Sequence, residues 1–354
     1  MDTTLPLPFL PAVDLAKSPT DSIQGLTSIQ LSYLGSVYLV ATEENIEVLF
    51  QFLQKNVSVE THVDVTAIGS SEDIVSILDA GARKIFVNSS QREPLKSYGD
   101  RVVSIYQKDV STYTSGVVLD SGEDASACRT VLELLKASKT SPVFLTSTTS
   151  DLESFVRLAS EFSAVPIIPA TKLTLEKPEK GQVSVPALIG GSWISDRVDK
   201  LVPTVVTDER GISLGLVYSS QQSLAESLKT GTGVYQSRKR GLWYKGATSG
   251  DTQELLRISL DCDQDCLKFV VRQNGRGKSE PIATILWTSL ICVRLLSPTP
   301  INLLWRISRT CEVRKDIGVE KEFCTGRLVH STFIFGPEAA ESQNNGRSRG
   351  ALRS

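Results

Sequence analysis

The chain has 354 residues, room for two or three domains with a sizeable buried core. Its 38 Lys and Arg nearly balance 40 Asp and Glu, so it carries no global basic field for a nucleic-acid backbone. Met1-Asp2-Thr3-Thr4 lacks the start of a signal peptide, and the most apolar stretch, 282–296, is interrupted by Thr284, Thr288, Ser289 and Arg294. A bilayer span needs about 20 apolar residues, so neither a membrane nor a nucleic acid is an expected partner. Six cysteines form no disulfide framework, which points to a reducing, cytoplasmic setting. The two histidines, His62 and His330, leave little material for histidine catalysis.

From about residue 35 the pattern alternates between strand and helix periods. Ser36 to Ala41 reads as a buried strand, and Ile46, Leu49, Phe50 and Leu53 mark one face of a helix. Val63 to Ile68 is strand-like, and Ser70 with Asp73 starts a helix that Gly81 ends. Strands follow at Lys84 to Val87, Val102 to Tyr106, Val143 to Thr146 and Val165 to Ile168. Helices carrying Ala127, Val131, Leu134 and Leu135, then Leu152, Phe155, Val156 and Ala159, stand between the later ones. Alternation of this kind implies βα units and a largely parallel sheet, either barrel-like or open. We take residues 1–200 as an α/β domain, with 172–186 as a loop or linker around Lys177-Pro178-Glu179-Lys180-Gly181. Gly190-Gly191-Ser192 reads as a turn.

Past Val202-Pro203 the pattern becomes α+β. A hairpin through Asp208-Glu209-Arg210-Gly211 precedes a helix from Gln221 to Lys229. Strand-like pieces follow at Gly233 to Tyr235, Leu242 to Lys245, Glu254 to Asp261 and Cys266 to Val271. From Lys278 no period is visible, and 278–354 is expected to be an irregular, disordered tail.

Two clusters could carry chemistry. In Asp261-Cys262-Asp263-Gln264-Asp265, strand alternation would turn the three carboxylates to one side and Cys262 to the other. Carboxylates so placed repel unless a hard cation neutralises them, and oxygen donors suit Mg²⁺ or Ca²⁺. A calcium loop is excluded, because its required Gly and Glu positions hold Cys266 and Arg272. The plainer reading is an exposed acidic strand end, favoured by spacing alone. The second cluster, Ser237-Arg238-Lys239-Arg240 with Trp243, Lys245, Thr248 and Ser249, has the cations and hydroxyls to grip a phosphate. A charge-protected hairpin edge fits the same composition, and Trp243 and Tyr244 among cations also fit a nucleic-acid surface. His62 reads as a core or edge histidine, and Cys128 as a packed one.

Taken together, Trp243-Tyr244-Lys245-Gly246-Ala247-Thr248-Ser249-Gly250 and Asp261-Cys262-Asp263-Gln264-Asp265 carry a resemblance. Residues 204–277 resemble phosphoribosyl-AMP cyclohydrolase, in the form that opens the fungal multifunctional histidine-biosynthesis protein. Leu214-Gly215-Leu216-Val217-Tyr218-Ser219-Ser220 and Gly233-Val234-Tyr235 extend the match, and the N-terminal 200 residues look like that protein's leader region. Asp79-Ala80-Gly81-Ala82 is faintly similar to phosphate-binding βα barrels of the same pathway. The resemblance implies a small α+β cyclohydrolase-like domain that opens the adenine ring of a phosphoribosyl-AMP substrate by hydrolysis of a cyclic amidine C–N bond. It implies Mg²⁺ on Asp261, Asp263 and Asp265, and Zn²⁺ on Cys262 with two later cysteines of a homodimer partner. It also implies a nucleotide site lined by Arg238, Trp243, Lys245, Thr248 and Ser249.

The chain departs from the family in three places. Its loop between Gly233 and Trp243 is one residue shorter, so Ser237-Arg238 aligns with either Ser-Arg pair of the family. Ala247 stands where bacterial members carry Glu. Where the family continues with Phe-Cys-His, this chain reads Lys278-Ser279-Glu280 after Gly277, and Cys292, Cys311 and Cys324 do not match the missing zinc ligands. The zinc set is therefore incomplete on this reading. The rival expectation is a non-catalytic remnant that binds nucleotide or a partner subunit through the Arg238 loop.

Overall fold

Short runs of Val, Ile, Leu and Phe set between amphipathic helices give strands buried on both faces, as a parallel sheet requires. The computed structural model describes residues 7–15, 28–106 and 116–275. Eight strands close into a parallel barrel: β1 (Leu10–Val13), β2 (Ser36–Val40), β3 (Glu60–Asp64), β4 (Lys84–Val87), β5 (Val102–Ile105), β6 (Val117–Asp120), β7 (Val143–Thr146) and β8 (Val165–Pro169). β1 completes the ring, pairing Ala12 with Tyr38 of β2 and Leu10 with Ile167 of β8. In the connections lie α1 (Ser28–Leu34), α2 (Ile46–Lys55), α3 (Ser71–Asp79), α4 (Ser89–Arg92), α5 (Arg129–Ala137) and α6 (Leu152–Glu161). The sheet is thus a barrel and not an open one.

β1 and β6 were not foreseen, and β3 lies earlier than the Val63–Ile68 expected from sequence. Asp64 ends it. Its carboxylate accepts from the backbone N and the hydroxyl of Thr66 at 2.9 and 2.7 Å, which turns the chain out of the sheet. Ser70 caps α3 as its spacing predicts, accepting from the Asp73 amide at 3.2 Å.

The stretch 172–186, expected as a loop or linker, folds back on itself. β9 (Leu173–Thr174) pairs in parallel with β10 (Val183–Ser184), and α7 (Val185–Ser192) starts there. Ser184 caps α7 by accepting from the Ala187 amide at 3.4 Å, with Pro186 in the first turn, where it displaces no hydrogen bond. Gly190-Gly191-Ser192 is accordingly the last turn of a helix and not a free turn.

A second sheet has the order β12-β11-β16-β15, built from β11 (Val202–Thr207), β12 (Ser213–Ser219), β15 (Gln253–Leu260) and β16 (Leu267–Gln273). α8 (Gln221–Thr230) and the hairpin β13 (Val234–Ser237) and β14 (Gly241–Tyr244) fall between β12 and β15 in the chain. β11 is antiparallel to β12 and parallel to β16. One apolar cluster runs from the outside of the barrel (Leu39, Val63, Ile85) into α8 (Leu224) and this sheet (Leu255, Phe269). The described residues belong to one unit, Met1–Leu290, and the tail from Lys278 lies outside them. Among them no helix is long and apolar enough to cross a membrane.

The barrel interior is packed with Leu10, Tyr38, Phe86, Val103, Val118, Phe144 and Ile167. His62 sits among them, its ring 6.5 Å from Phe86 and 6.1 Å from Phe144, and neither nitrogen has a hydrogen-bond partner. Burial, with the charges of Lys84 and Arg83, lowers its pKa from 6.5 to about 3. The unfolded chain therefore takes up a proton that the folded one refuses, and stability is lost as pH falls from about 6.5 towards 3. His62→Leu removes two unsatisfied polar atoms, and we expect it to add about 1–3 kcal/mol and flatten that acid slope. Urea denaturation at about pH 7 and about pH 4.5 checks both. A loss of stability at both would show that the imidazole is held by contacts of its own.

Candidate functional site

The antiparallel strands β15 and β16 meet at the pair Leu260–Leu267, and residues 261–266 make the turn between them. Its backbone closes on Asp261, whose amide donates to the Cys266 carbonyl at 3.1 Å and whose carbonyl accepts from the Gln264 amide at 3.3 Å. The Asp261 carboxylate accepts from the Cys266 amide at 3.1 Å, and Gln264 takes a left-handed φ of +63°. Oxygens of Asp261, Asp263 and Asp265 come within 4.8 Å of one another. Convergence therefore arises from a curled turn, and not from alternation along a strand as the spacing had suggested.

A hydrogen bond with Asp261, then the charge of Asp263, raises the Asp265 pKa above the usual carboxylate range. This crowding of like charge is what a hard cation relieves, and carboxylate oxygens are the donors that suit Mg²⁺. The residues fit magnesium.

Zinc fares differently. Cys262 is exposed, with its Sγ 3.9 Å from Asp263 Oδ1. Cys266 is partly covered, and its thiol donates to the Leu267 carbonyl at 3.5 Å. Burial, with the charge of Asp261, pushes the Cys266 thiol pKa up, which disfavours the thiolate a metal needs. Among the described residues, the three aspartates are the one cluster able to hold a metal, and it includes no thiol. The donors among the described residues do not fit a zinc centre, and Cys292, Cys311, Cys324 and His330 lie outside the described residues.

The basic loop is the tip of the β13–β14 hairpin, with Arg238 exposed. Its guanidinium lies over the Tyr218 ring of β12, 5.2 Å from the centroid, and that of Arg197 lies 4.7 Å from the same centroid. Trp243 packs against Tyr235 at 5.9 Å, with Arg240 over its ring at 5.4 Å. Lys245 donates through Nζ to the Asp251 carbonyl at 3.2 Å and so braces its own loop. Gly246, at φ +84°, lies so close to the Asp251 backbone that a Cβ would collide with it. Thr248 and Ser249 are exposed on this loop, and the Ser249 hydroxyl accepts from the Asp251 amide at 3.3 Å.

The segment between α7 and β11 touches both clusters. The Ile194 amide donates to the Gln264 carbonyl at 2.7 Å, Asp196 adds charge near Asp265, and Arg197 reaches Tyr218. Sequence reasoning singled out neither Asp196 nor Arg197, since a polar stretch after a helix gives no motif. A separate cleft of about 600 Å³ between α6 and α7 reaches Gln264 past Phe9, Arg157 and Leu188. None of the candidate residues lines it.

Residues 215–278 match the phosphoribosyl-AMP cyclohydrolase family. The chain is 48% identical over 284 residues to the histidine biosynthesis trifunctional protein of Neurospora crassa, covering 78% of this chain and 33% of that protein. It is 36% identical over 291 residues to the histidine biosynthesis bifunctional protein of Schizosaccharomyces pombe, covering 76% of this chain and 68% of that protein. A bacterial phosphoribosyl-AMP cyclohydrolase from Roseobacter denitrificans is 44% identical over 77 residues, 21% of this chain and 60% of its own. The chain thus spans about a third of the Neurospora relative and about two thirds of the fission-yeast one.

The turn makes a prediction for its thiols. Cys262 is exposed, whereas Cys266 is half-covered and Cys128 buried with a raised pKa. Iodoacetamide at neutral pH should label Cys262 at least about tenfold faster than either. Peptide mass spectrometry reads the three rates, and equal labelling of Cys262 and Cys266 would contradict the geometry.

Proposed function

The chain belongs to the phosphoribosyl-AMP cyclohydrolase family of histidine-biosynthesis proteins, and on that premise we propose that it binds phosphoribosyl-AMP and opens its adenine ring by hydrolysis. The observation that carries this reading is the curled turn, where three carboxylates and an exposed thiol lie inside the family match. In it, Asp261, Asp263 and Asp265 hold Mg²⁺. Mg²⁺ would supply, when bound there, charge that offsets phosphate oxygens and orients the nucleotide.

The chain's own residues do the rest. Arg238 presents a guanidinium whose forked donors match a phosphate. Trp243 offers a ring of the kind on which a purine stacks. Lys245, tied to the Asp251 carbonyl, keeps the Thr248–Ser249 loop open to the ligand, so its role is to shape the loop. No step is derived through zinc, because the described donors do not assemble it. A cytoplasmic location belongs to the same reading. So does a homodimer, supported by the edge strand β12, where Leu216 is 67% exposed.

One observation favours a second reading, a chain that binds nucleotide without turning it over: among the described residues, the one cluster of three possible metal ligands is all carboxylate and does not include Cys262. Complementation of a histidine-requiring strain that lacks the cyclohydrolase separates the two, growth favouring the enzyme. Failure to grow while the purified chain still binds phosphoribosyl-AMP favours the second.

The metal content is a further test. Calorimetry should find one weak Mg²⁺ site, weakened at least about tenfold in Asp263→Asn. Zinc should be well below one per chain and unchanged by Cys262→Ser, because a lone thiolate holds Zn²⁺ poorly. Stoichiometric zinc lost in Cys262→Ser would place the other donors beyond the described residues and overturn this expectation.

A further inference from the structure

Two guanidinium groups lie over one tyrosine ring: Arg197 at 4.7 Å and Arg238 at 5.2 Å from the Tyr218 centroid. Like charges brought together repel, and a carboxylate beside one of them lowers that cost. That one is Arg197. Its Nε and Nη2 donate to the two carboxylate oxygens of Asp199 at 2.8 and 2.7 Å, a bidentate pair two residues along the same segment. No carboxylate among the described residues pairs with Arg238. The two arginines are therefore unequal, one satisfied and one with its donors available.

We propose that Arg197 is a positioning residue: paired with Asp199, it packs Tyr218 into the platform that holds Arg238 toward the phosphate of the nucleotide. This rests on the function reading above. Arg197 and Asp199 lie before residue 215, outside the family match, so the connector from the barrel completes a site that the matched domain does not build alone. The same connector ties the acidic turn through the Ile194 amide and the Gln264 carbonyl, 2.7 Å apart. A rigid hold on both clusters keeps the cation side and the carboxylate side of the site in register.

The test uses the full chain and two readouts. In protein labelled at arginine, the side-chain protons of Arg238 should carry an upfield ring-current shift in the NMR spectrum. The shift should be kept in Tyr218→Phe, lost in Tyr218→Leu and reduced in Arg197→Ala. Calorimetry with phosphoribosyl-AMP should show Arg197→Ala about three- to tenfold weaker, with Mg²⁺ binding unchanged. The double variant Arg197→Ala/Arg238→Ala should bind no more weakly than Arg238→Ala, since Arg197 acts through Arg238. Additive losses would make Arg197 a separate contact and overturn the proposal, as would an Arg238 shift indifferent to Tyr218→Leu. If the unaltered chain binds no phosphoribosyl-AMP, the function reading fails, and the ring-current shift alone then decides the positioning.

Discussion

The continuous apolar core between the outside of the barrel and the second sheet is the constraint on which the site depends. A four-stranded sheet with one helix and a hairpin has little interior of its own, and small units bury too little surface to be firmly stable. Here Leu224, Leu255, Ile258, Phe269 and Val271 join the same cluster as the helix-facing residues of the barrel strands. The contact is close. Gly35, at φ +75° between α1 and β2, leaves room for the Arg257 side chain of β15, where any Cβ would press on it. Because β15 is held this way, the turn that follows it starts from a fixed place.

Most of the architecture was legible because it rests on period and caps. Lys84–Val87 and Val143–Thr146 are strands with the bounds their apolar runs suggest, and Gln221–Thr230 is the helix that its spacing indicates. Closure was not legible. β1 is four residues, Leu-Pro-Ala-Val, with a proline inside it, and β6 has no amphipathic helix pattern before it. A ring of eight strands becomes visible in sequence only when all eight are found, because six of them describe an open sheet equally well. The linker reading failed for a different reason. Lys177-Pro178-Glu179-Lys180-Gly181 is indeed a loop tip, but its flanks Leu173–Thr174 and Val183–Ser184 pair across it. A two-residue ladder has no period to detect.

At the site, residue types were legible and geometry was not. Three aspartates at alternate positions predict carboxylates facing one way along a strand. They converge because the Asp261 carboxylate and carbonyl accept backbone amides and Gln264 turns left-handed. Asp261 thus has two tasks, holding the turn and contributing charge, and the spacing showed only the second. Lys245 likewise looked like a phosphate ligand from its motif, while its ammonium is directed to the Asp251 carbonyl. Arg197 gave no signal at all, since its meaning comes from Tyr218, a partner twenty-one residues further along.

These placements divide the site by charge. On one side, carboxylates crowd until Asp265 is pushed above its ordinary titration range, a tension that favours uptake of a cation. On the other, a guanidinium with no carboxylate partner among the described residues rests on an aromatic ring, an arrangement that favours an anion. A metal ion on the first would relieve a repulsion already present and a phosphate on the second would pair a cation, so the binding of one need not oppose the other. The connector 194–199 meets both sides: Asp196 adds to the negative charge near the carboxylates, and Arg197, paired with Asp199, lies against the Tyr218 ring that carries the cation.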